Sequence, residues 1–503
     1  MEGDRPIPST LLETVSALPD PPFASCKSPK PHLRKRWRML AILSADICAS
    51  YLPWYTFVPI MSQSMLVYDA LPPDFNMLCI LYSLVYVPGV FFTGQLLIGL
   101  GCHRCFILAL SCLTAGCALR CGPSMFVSYP SAGLWEDSHS LAAPSAAAAP
   151  FAWLVAGQGL CAVGQAFLVN ATSHLVAEWF PPDERPAAAM ISNLMNFVGG
   201  CLSFMVPTWY VAPDSPRETA RAEVAALLLA QLKVSFAALV LTAALYRDAP
   251  SMRNMSVERA SLPLLGELRQ VLRLRDFWLI NGHFLLYLTV LNTFDAVEGA
   301  LLANYGYSEA LSSWTAVSFC VTSVLSTAIE SVIIKHPVHY RCVLLGVNGL
   351  LAASCLLGLW CLWARQPGAC FIGAVGLMGF STPGWGCSLE MGSEVSYPAR
   401  EATVSALLEA FGSVASVGGI VAAQRLIDAG WAAMVLVAMA VGSLSGAVAL
   451  LGLTGRMRRH EAEMAEAVYE EEPGIAVQAC LSSEAGAPRS RRARHFHGEL
   501  QCI

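Results

Sequence analysis

Long apolar runs dominate the sequence between residues 39 and 454 and leave it few ways to fold. A helix rises 1.5 Å per residue, so about 20 apolar residues cross the hydrocarbon core of a bilayer, about 30 Å thick. Twelve runs of this kind predict an all-α membrane protein with twelve transmembrane helices, which we number spans 1 to 12. They lie at about 39–59, 76–100, 104–120, 150–177, 187–209, 222–245, 277–303, 311–334, 342–364, 368–394, 402–427 and 431–454.

Composition excludes several classes of function. Hydrophobic residues make up 55% of the chain and charged residues 13%, against about 25% charged in soluble domains. Basic residues are too sparse for a nucleic-acid surface. There is no phosphate-binding loop for ATP and no enzyme motif, so we expect no catalytic residues and no cofactor. Most of the 18 cysteines stand singly in apolar runs and are interpreted as packing residues, with no metal site expected.

The distribution of Lys and Arg predicts the orientation of the chain. Eleven lie in one set of connections and five in the other, and each tail adds seven to the first set. Because positive charge accumulates on the cytosolic side, both termini are expected there. The predicted parts are a disordered N-terminal tail 1–38, a six-helix half 39–245, a cytosolic central loop 246–276, a second six-helix half 277–454 and a cytosolic C-terminal tail 455–503.

A short repeat supports the division into halves. The connection after span 4 runs from Glu178 through an aromatic residue and proline to Arg185, and the connection after span 10 runs similarly from Glu394 to Arg400. Two six-span halves in parallel repeat are the plan of major facilitator transporters, with substrate bound between the halves. Within each connection the acid is interpreted as an ion-pair partner of the arginine, closing a cytosolic turn.

Acidic side chains interrupt the apolar runs. A carboxylate at the bilayer centre costs roughly 2.5–3.5 kcal/mol, so such an acid is expected to face a cavity or a partner. Only one basic residue, Lys233, lies within a span, so the cavity should be electronegative and favour cations. The acids are Asp46 in span 1, Asp295 and Glu298 in span 7, Glu390 in span 10 and Glu409 in span 11.

Two spans carry helix-breaking residues beside these polar groups. In span 1, Asp46 and Trp54 share one helical face, and Pro53 interrupts the backbone hydrogen bonds next to the tryptophan. In span 10 the segment 381–386 is a weak point ahead of Glu390. Trp54 is either a packing aromatic or a ligand. His283 in span 7 is either a hydrogen-bonded core histidine or a proton carrier.

Several motifs resemble the feline leukaemia virus subgroup C receptor-related family of major facilitator transporters, associated with heme, choline and ethanolamine. The resemblance covers most of the membrane region. It is carried by Tyr82-Ser-Leu-Val-Tyr-Val-Pro88, by 157–167 continuing to Trp179-Phe-Pro181, by Leu202-Ser-Phe-Met-Val-Pro207 and by 388–398.

The resemblance implies particular site residues. In that family a span-1 tryptophan boxes a quaternary ammonium and a span-10 glutamate lies near the cation, which match Trp54 and Glu390 here. A cation over an indole face gains about 0.5–2 kcal/mol. The chain departs from the family at Phe197, beside Asn196, at Ser413, and at Asp295 where the family has a tyrosine. The connection 99–104 also lacks the aspartate usual in facilitators.

The resulting prediction is a secondary transporter of a small organic solute, choline-like or ethanolamine-like, working by alternating access in a lipid bilayer as a monomer. Trp54, Glu390, Asp295 and Asn196 would bind substrate, and Asp46, Glu298, Glu409 and His283 would tune or proton-couple the site. Heme is the alternative, with His103, His174 and His283 as candidates to meet its iron. A transport-inactive receptor or sensor acting through the tail 455–503 is the third interpretation.

Overall fold

The architecture is taken from a computed structural model, which describes residues 33–126, 148–180, 184–248, 264–308, 310–333 and 339–461. In these ranges the regular structure is helical. The helices are α1 (Leu33–Tyr51), α2 (Met61–Tyr68), α3 (Pro72–Leu100), α4 (Cys102–Phe126), α5 (Ala148–Trp179), α6 (Arg185–Tyr210), α7 (Arg217–Leu245), α8 (Leu264–Val271), α9 (Arg275–Asn304), α10 (Ala310–Ile333), α11 (Tyr340–Trp363), α12 (Gly368–Gly379), α13 (Pro383–Ser396), α14 (Glu401–Asp428) and α15 (Ala432–Leu451).

Ten of these helices are long and apolar enough to cross a membrane. The other two spans are each divided into shorter helices: span 1 comprises α1 and α2, and span 10 comprises α12 and α13. Spans 2 to 6 are α3 to α7, spans 7 to 9 are α9 to α11, and spans 11 and 12 are α14 and α15. The short helix α8 precedes span 7. We call the side on which α1 begins and α8 lies the loop face, and the opposite side the far face.

The predicted boundary of the N-terminal tail needs correction. Helix α1 begins at Leu33, so residues 33–38 form its first turns. The Arg36 side chain is buried there, and its Nη2 lies 2.6 Å from a carboxylate oxygen of Glu184. The ion pair explains the extension, because it compensates a buried guanidinium at the start of the helix. Most of the two predicted tails and residues 249–263 of the central loop lie outside the described residues.

The break in span 1 lies at Pro53, as predicted. Helix α1 ends at Tyr51, just before the proline, and the carbonyl groups that follow need partners other than the helix, since a membrane supplies none. Gln158 of span 4 supplies them: its Nε2 donates to the carbonyl oxygens of Pro53 at 2.9 Å and of Trp54 at 3.3 Å. Gln231 of span 6 donates to the carbonyl of Leu52 at 3.2 Å. The interruption is therefore a stable part of the fold.

The break in span 10 lies between Gly379 and Pro383, within the predicted weak point. Pro383 opens the second helix, where its missing N–H is not needed. Tyr287 of span 7 donates its hydroxyl to the carbonyl of Ser381 at 2.9 Å, and Ser326 of span 8 donates to the carbonyl of Gly379 at 3.4 Å. Each half thus carries one interrupted span whose backbone is satisfied by neighbouring spans.

Each half has a core of its own. Buried apolar residues of spans 1 to 6 form one large cluster from Met39 to Tyr246 and a second toward the far face. A third cluster fills the second half and takes in four residues of the first: Tyr55, Val58, Cys79 and Phe204. These four residues locate the principal apolar contact between the halves.

Hydrogen bonds join the halves near the far face. Asn76 of span 2 donates to Gln424 of span 11 at 2.6 Å, and the hydroxyls of Thr208 in span 5 and Ser313 in span 8 lie 3.0 Å apart. Gly299 of span 7 lies so close to span 1 that an added Cβ would stand 2.7 Å from the carbonyl oxygen of Val58. The far face is therefore closed.

Candidate functional site

A cavity of about 140 Å³ lies between the two halves. Its walls come from spans 1, 2, 4 and 5 of the first half and from spans 7, 8, 10 and 11 of the second. Both interrupted spans contribute, through Tyr51, Trp54 and Tyr55 on one side and Trp385 on the other. Discontinuous helices at the interface between repeats are where transporters place their substrate sites.

The first half supplies an aromatic wall, formed by Tyr51, Trp54, Tyr55, Tyr82 and Tyr86. The Trp54 ring is stacked with Tyr55, with centroids 4.8 Å apart and planes 9° apart, and with Tyr82, at 4.9 Å and 7°. Both tyrosine rings lie against the indole and cover part of its surface. In this conformation Trp54 is therefore partly covered, whereas the resemblance implied a face open to the cation.

The second half supplies the acids, Asp295 and Glu298 of span 7 and Glu409 of span 11. Glu298 accepts a hydrogen bond from the Thr315 hydroxyl at 2.5 Å. Glu409 accepts one from the indole nitrogen of Trp385, and the Tyr55 hydroxyl interacts with Asp295. No Lys, Arg or His is among the residues that line the cavity in the described part of the chain. The site is thus electronegative on one side and aromatic on the other.

Four buried polar atoms of the lining residues have no hydrogen-bond partner in the protein. They are the indole nitrogen of Trp54, the hydroxyl of Tyr82, Nε2 of Gln165 and Oδ1 of Asn196. A buried polar atom without a partner is costly and is normally satisfied by water or a ligand. Besides its carboxylates, the cavity wall therefore contains two N–H donors, one carbonyl acceptor and the Tyr82 hydroxyl, which can donate and accept. Asn196, a predicted binding residue, is among the lining residues.

Aromatic rings also meet across the halves at mid-span. Phe197 of span 5 lies edge-on to Phe319 of span 8 and Trp385 of span 10, with centroids 6.3 and 6.4 Å apart. Phe197 is one of the positions at which the chain departs from the family it resembles. It makes this part of the wall apolar and couples the first half to the interrupted span 10.

Glu390, the predicted partner of Trp54, is not at the cavity. It is exposed near the loop-face end of span 10 and is absent from the lining residues. The neighbouring Cys387 donates its thiol to Glu330 of span 8 at 2.8 Å, so this side of span 10 faces span 8. The carboxylate that lines the cavity beside Trp385 of span 10 is instead Glu409 of span 11.

Two further predicted residues, Asp46 and His283, each pack within a single half of the protein. Asp46 is buried and accepts a hydrogen bond from the Thr242 hydroxyl of span 6 at 2.7 Å. His283 is buried between Asn348, whose amide donates to Nδ1 at 3.1 Å, and Ser388, 3.0 Å from Nε2. The amide fixes the tautomer with hydrogen on Nε2. Of the two interpretations of His283, the structure supports the hydrogen-bonded core histidine.

Of the two predicted ion pairs at the loop-face turns, the one between Glu394 and Arg400 is arranged differently. Arg400 pairs with Glu267 of helix α8, with Nε 2.8 Å from the carboxylate, while Glu394 accepts a hydrogen bond from the backbone of His460 at 3.1 Å. Glu178 contacts His174, and the side chain of Arg185 lies outside the described residues. Arg400 therefore holds helix α8 in place, because Glu267 is buried beside it and needs a cation.

Sequence reasoning missed the buried cation Arg120. It was counted in a connection, yet it is fully buried in span 3, donates to Gln231 at 2.9 Å and lies over the Phe57 ring. Trp385 was seen only as part of a weak point in span 10. Its proximity to Glu409 could not be read from the sequence, since 24 positions separate the two residues.

Comparisons with known proteins agree with this architecture. A family model described as Major Facilitator Superfamily matches residues 45–297. The chain belongs to the major facilitator superfamily. As a facilitator it is a multi-pass membrane protein and a secondary transporter, and the predicted twelve-span fold is confirmed.

Two relatives and one solved structure illustrate the similarity. Solute carrier family 49 member A3 of Danio rerio is 26% identical over 95% of this chain and 100% of its own length. Choline/ethanolamine transporter FLVCR2 of Homo sapiens is 22% identical over 78% of this chain and 72% of its own. These relatives confirm the resemblance expected from the motifs. A D-xylose–proton symporter superimposes with a TM-score of 0.63 at 12% identity, over 84% of this chain and all of its own.

Proposed function

We propose that this facilitator carries a small organic amine with a hydroxyl group, choline-like or ethanolamine-like, through the cavity between its halves. The observation that carries the proposal is the facing of an aromatic wall in one half by three carboxylates in the other, with no basic residue among the described lining residues. A buried carboxylate needs a compensating charge. An ammonium group supplies it, and aromatic rings favour the same group.

The orphan polar atoms suit the hydroxyl group of such a substrate. A hydroxyl accepts from an N–H and donates to a carbonyl oxygen. Trp54 and Gln165 present N–H donors without a protein partner, and Asn196 presents a carbonyl oxygen without one. A substrate that satisfies these atoms removes the cost of leaving them buried and unpaired. The same atoms give an amine without a hydroxyl a weaker fit.

Size and donor chemistry favour the amine over heme. Pockets for drug-sized ligands measure about 300–1,000 Å³, whereas this cavity measures about 140 Å³. The three histidines considered for heme iron lie elsewhere: His283 contacts Ser388, His174 contacts Glu178, and His103 stacks near Tyr246. Heme propionates would also meet the acids without a basic residue between them.

Alternating access is proposed to proceed by rocking of the halves around this site. The contacts of Asn76 with Gln424 and of Thr208 with Ser313 close the far face and would break when that face opens. We propose that the loop face is cytosolic, on the basis of its Lys and Arg excess. The conformation described is then the one closed to the outside, and a monomer contains the whole site.

Transport assays in proteoliposomes test the proposal. Uptake of labelled choline, ethanolamine and heme is compared for wild type, Asp295→Asn, Glu298→Gln, Glu409→Gln and Glu390→Gln. Since hydrogen bonds to charged groups contribute about 1.5–3 kcal/mol, each cavity variant should lose about 10-fold or more of its amine transport. Asp276→Asn is the control, because Asp276 is a buried acid bonded to Thr454, away from the cavity.

The outcomes separate the alternatives. Loss of amine transport in the cavity variants with retention in Asp276→Asn and Glu390→Gln supports the proposed site. Loss of amine transport in Glu390→Gln alone would support the site predicted from the sequence, in which Glu390 binds the substrate. Transport of heme alone would overturn the amine proposal. Absence of all transport, with effects only on deleting the tail 455–503, would favour the receptor interpretation.

A further inference from the structure

Three side chains with metal-binding atoms meet at the loop-face end of spans 3 and 4. The Cys102 sulfur lies 3.6 Å from His174 Nδ1 and 3.6 Å from Glu178 Oε2, and His174 Nδ1 lies 3.5 Å from Glu178 Oε1. All three ligand atoms lie within 4.8 Å of one another. None of these residues lines the cavity between the halves, so the cluster is separate from the proposed substrate site.

Two of the three ligand atoms already lie at the spacing of a tetrahedral zinc site, since the Cys102 sulfur and His174 Nδ1 are 3.6 Å apart. Zinc binds thiolate sulfur at about 2.3 Å, imidazole nitrogen at about 2.0–2.1 Å and carboxylate oxygen at about 2.0–2.2 Å, usually in tetrahedral geometry. Such bonds place neighbouring ligand atoms about 3.4–3.6 Å apart. Glu178 contacts Cys102 and His174 through different oxygens. One ligand atom of each residue lies within 4.8 Å of the others, so a rotation of the Glu178 carboxylate brings a single oxygen to the required spacing. Magnesium and calcium prefer sets of oxygen ligands, so the thiol and imidazole select zinc.

The local backbone explains how the cluster forms. Gly101, at φ +83°, turns the chain sharply between spans 2 and 3, which places Cys102 at the first position of span 3. His174 and Glu178 are four residues apart on span 4, so their side chains share one face. Spans 3 and 4 pack closely, since a Cβ on Gly116 would stand 2.6 Å from the carbonyl of Gly157. The ligands are thus held on rigid helices.

Exposure leaves room for a fourth ligand. Cys102 is buried, with 1% of its surface exposed, whereas the side chains of His174 and Glu178 are 30% and 33% exposed. The sulfur therefore forms the floor of the cluster, and the other two ligands form its rim. Water can complete the coordination from the loop side.

We propose that Cys102, His174 and Glu178 form a three-ligand zinc site with an open fourth position for water. On binding, the thiol proton of Cys102 passes to solvent and the thiolate coordinates the ion, so affinity falls as pH is lowered. The ion ties the turn between spans 2 and 3 to the end of span 4. It acts as a brace of the first half.

Cobalt and zinc titration of the full-length protein in detergent, after treatment with a chelator, tests the site. We expect one Co²⁺ to bind with a near-ultraviolet thiolate-to-metal absorption band, which Zn²⁺ then displaces. The band should vanish in Cys102→Ser. Loss of an outer partner already costs about 10–100-fold in metal affinity, so loss of a ligand in His174→Gln or Glu178→Gln should weaken Zn²⁺ binding at least 10-fold.

Cys105→Ser is the matched control, because Cys105 is buried one turn away on the same helix and belongs to no ligand cluster in the described residues. Zinc should raise the melting temperature of wild type and of Cys105→Ser, since a ligand of the folded state stabilises it. It should not raise that of the ligand variants. Size-exclusion chromatography without metal identifies any variant that fails to fold. The ligand variants that do fold then test the zinc site.

Two results would overturn the zinc site. The first is absence of the thiolate absorption band in wild type, which would leave only a hydrogen-bonded cluster. The second is retention of metal by all ligand variants. All ligand variants would retain metal if it were bound by the tail, where His495, His497 and Cys502 lie close in sequence.

Discussion

The indole nitrogen of Trp385 donates a hydrogen bond to the carboxylate of Glu409 at the wall of the cavity. The bond joins the second helix of the interrupted span 10 to span 11, and both residues line the site. It links the position of a carboxylate to the one span of the second half that is divided. A movement of span 10 would therefore shift the Glu409 carboxylate and alter the electrostatics of the cavity.

Trp385→Phe should weaken transport without unfolding the protein. The ring remains, but Glu409 loses a donor, and a hydrogen bond to a charged group contributes about 1.5–3 kcal/mol. We expect KM for the amine to change about 10-fold. Concentration-dependent uptake measures it, with Trp360→Phe, an exposed tryptophan of span 9, as control. Equal KM values in wild type and Trp385→Phe would refute the role of this bond.

The aromatic stack predicts that Tyr82 matters as much as Trp54. Each ring of the stack holds its neighbours, and aromatic pairs contribute about 0.5–1.5 kcal/mol beyond the area they bury. Tyr82→Ala should therefore lower transport and the melting temperature to the same extent as Trp54→Ala. Uptake and thermal unfolding of both variants check this. A normal Tyr82→Ala protein would instead support recognition by Trp54 alone.

Two glutamines of span 4 should respond differently to the same substitution. Gln158 satisfies the carbonyls freed at the break in span 1, so Gln158→Leu orphans buried groups at a cost of about 1–3 kcal/mol. Nε2 of Gln165 has no protein partner and lines the cavity. Gln165→Leu should reduce amine uptake and spare stability. Thermal unfolding and uptake of the two variants are measured side by side. Loss of stability in Gln165→Leu with normal stability in Gln158→Leu would contradict this prediction.

Gly299→Ala should open the far face. The added Cβ would stand 2.7 Å from the carbonyl of Val58, and overpacking of this kind costs about 1–3 kcal/mol. The closed state is thereby disfavoured, and a maleimide that cannot cross the membrane should label Ser313→Cys, a residue of the far-face contact, about 5-fold faster or more.

Gly282→Ala in the same span is the control for this change, because nothing lies within 4 Å of its added Cβ. Its labelling rate should equal that of the Ser313→Cys background. An unchanged rate in Gly299→Ala would show that this close approach does not hold the far face closed.

Particular residues show what could be predicted from the sequence. Pro53 and the segment 381–386 marked both interrupted spans, because proline acts on its own backbone. Asp295, Glu298 and Glu409 were placed at a cavity, because an acid in lipid needs one. Glu390 satisfied the same argument and yet lies outside the cavity. The cost of burial shows that an acid in a span needs polar surroundings, but it does not specify whether these are the cavity or another part of the protein.

The sequence by itself determined the membrane architecture, since hydropathy, helix length and backbone hydrogen bonding act along the chain. The tertiary structure decided which helical faces meet. It stacked Tyr55 and Tyr82 on Trp54, set Trp385 against Glu409 and brought Cys102 to His174 and Glu178. These contacts join residues distant in sequence, and their geometry depends on the rotation and depth of each packed helix, which periodicity along one span does not specify.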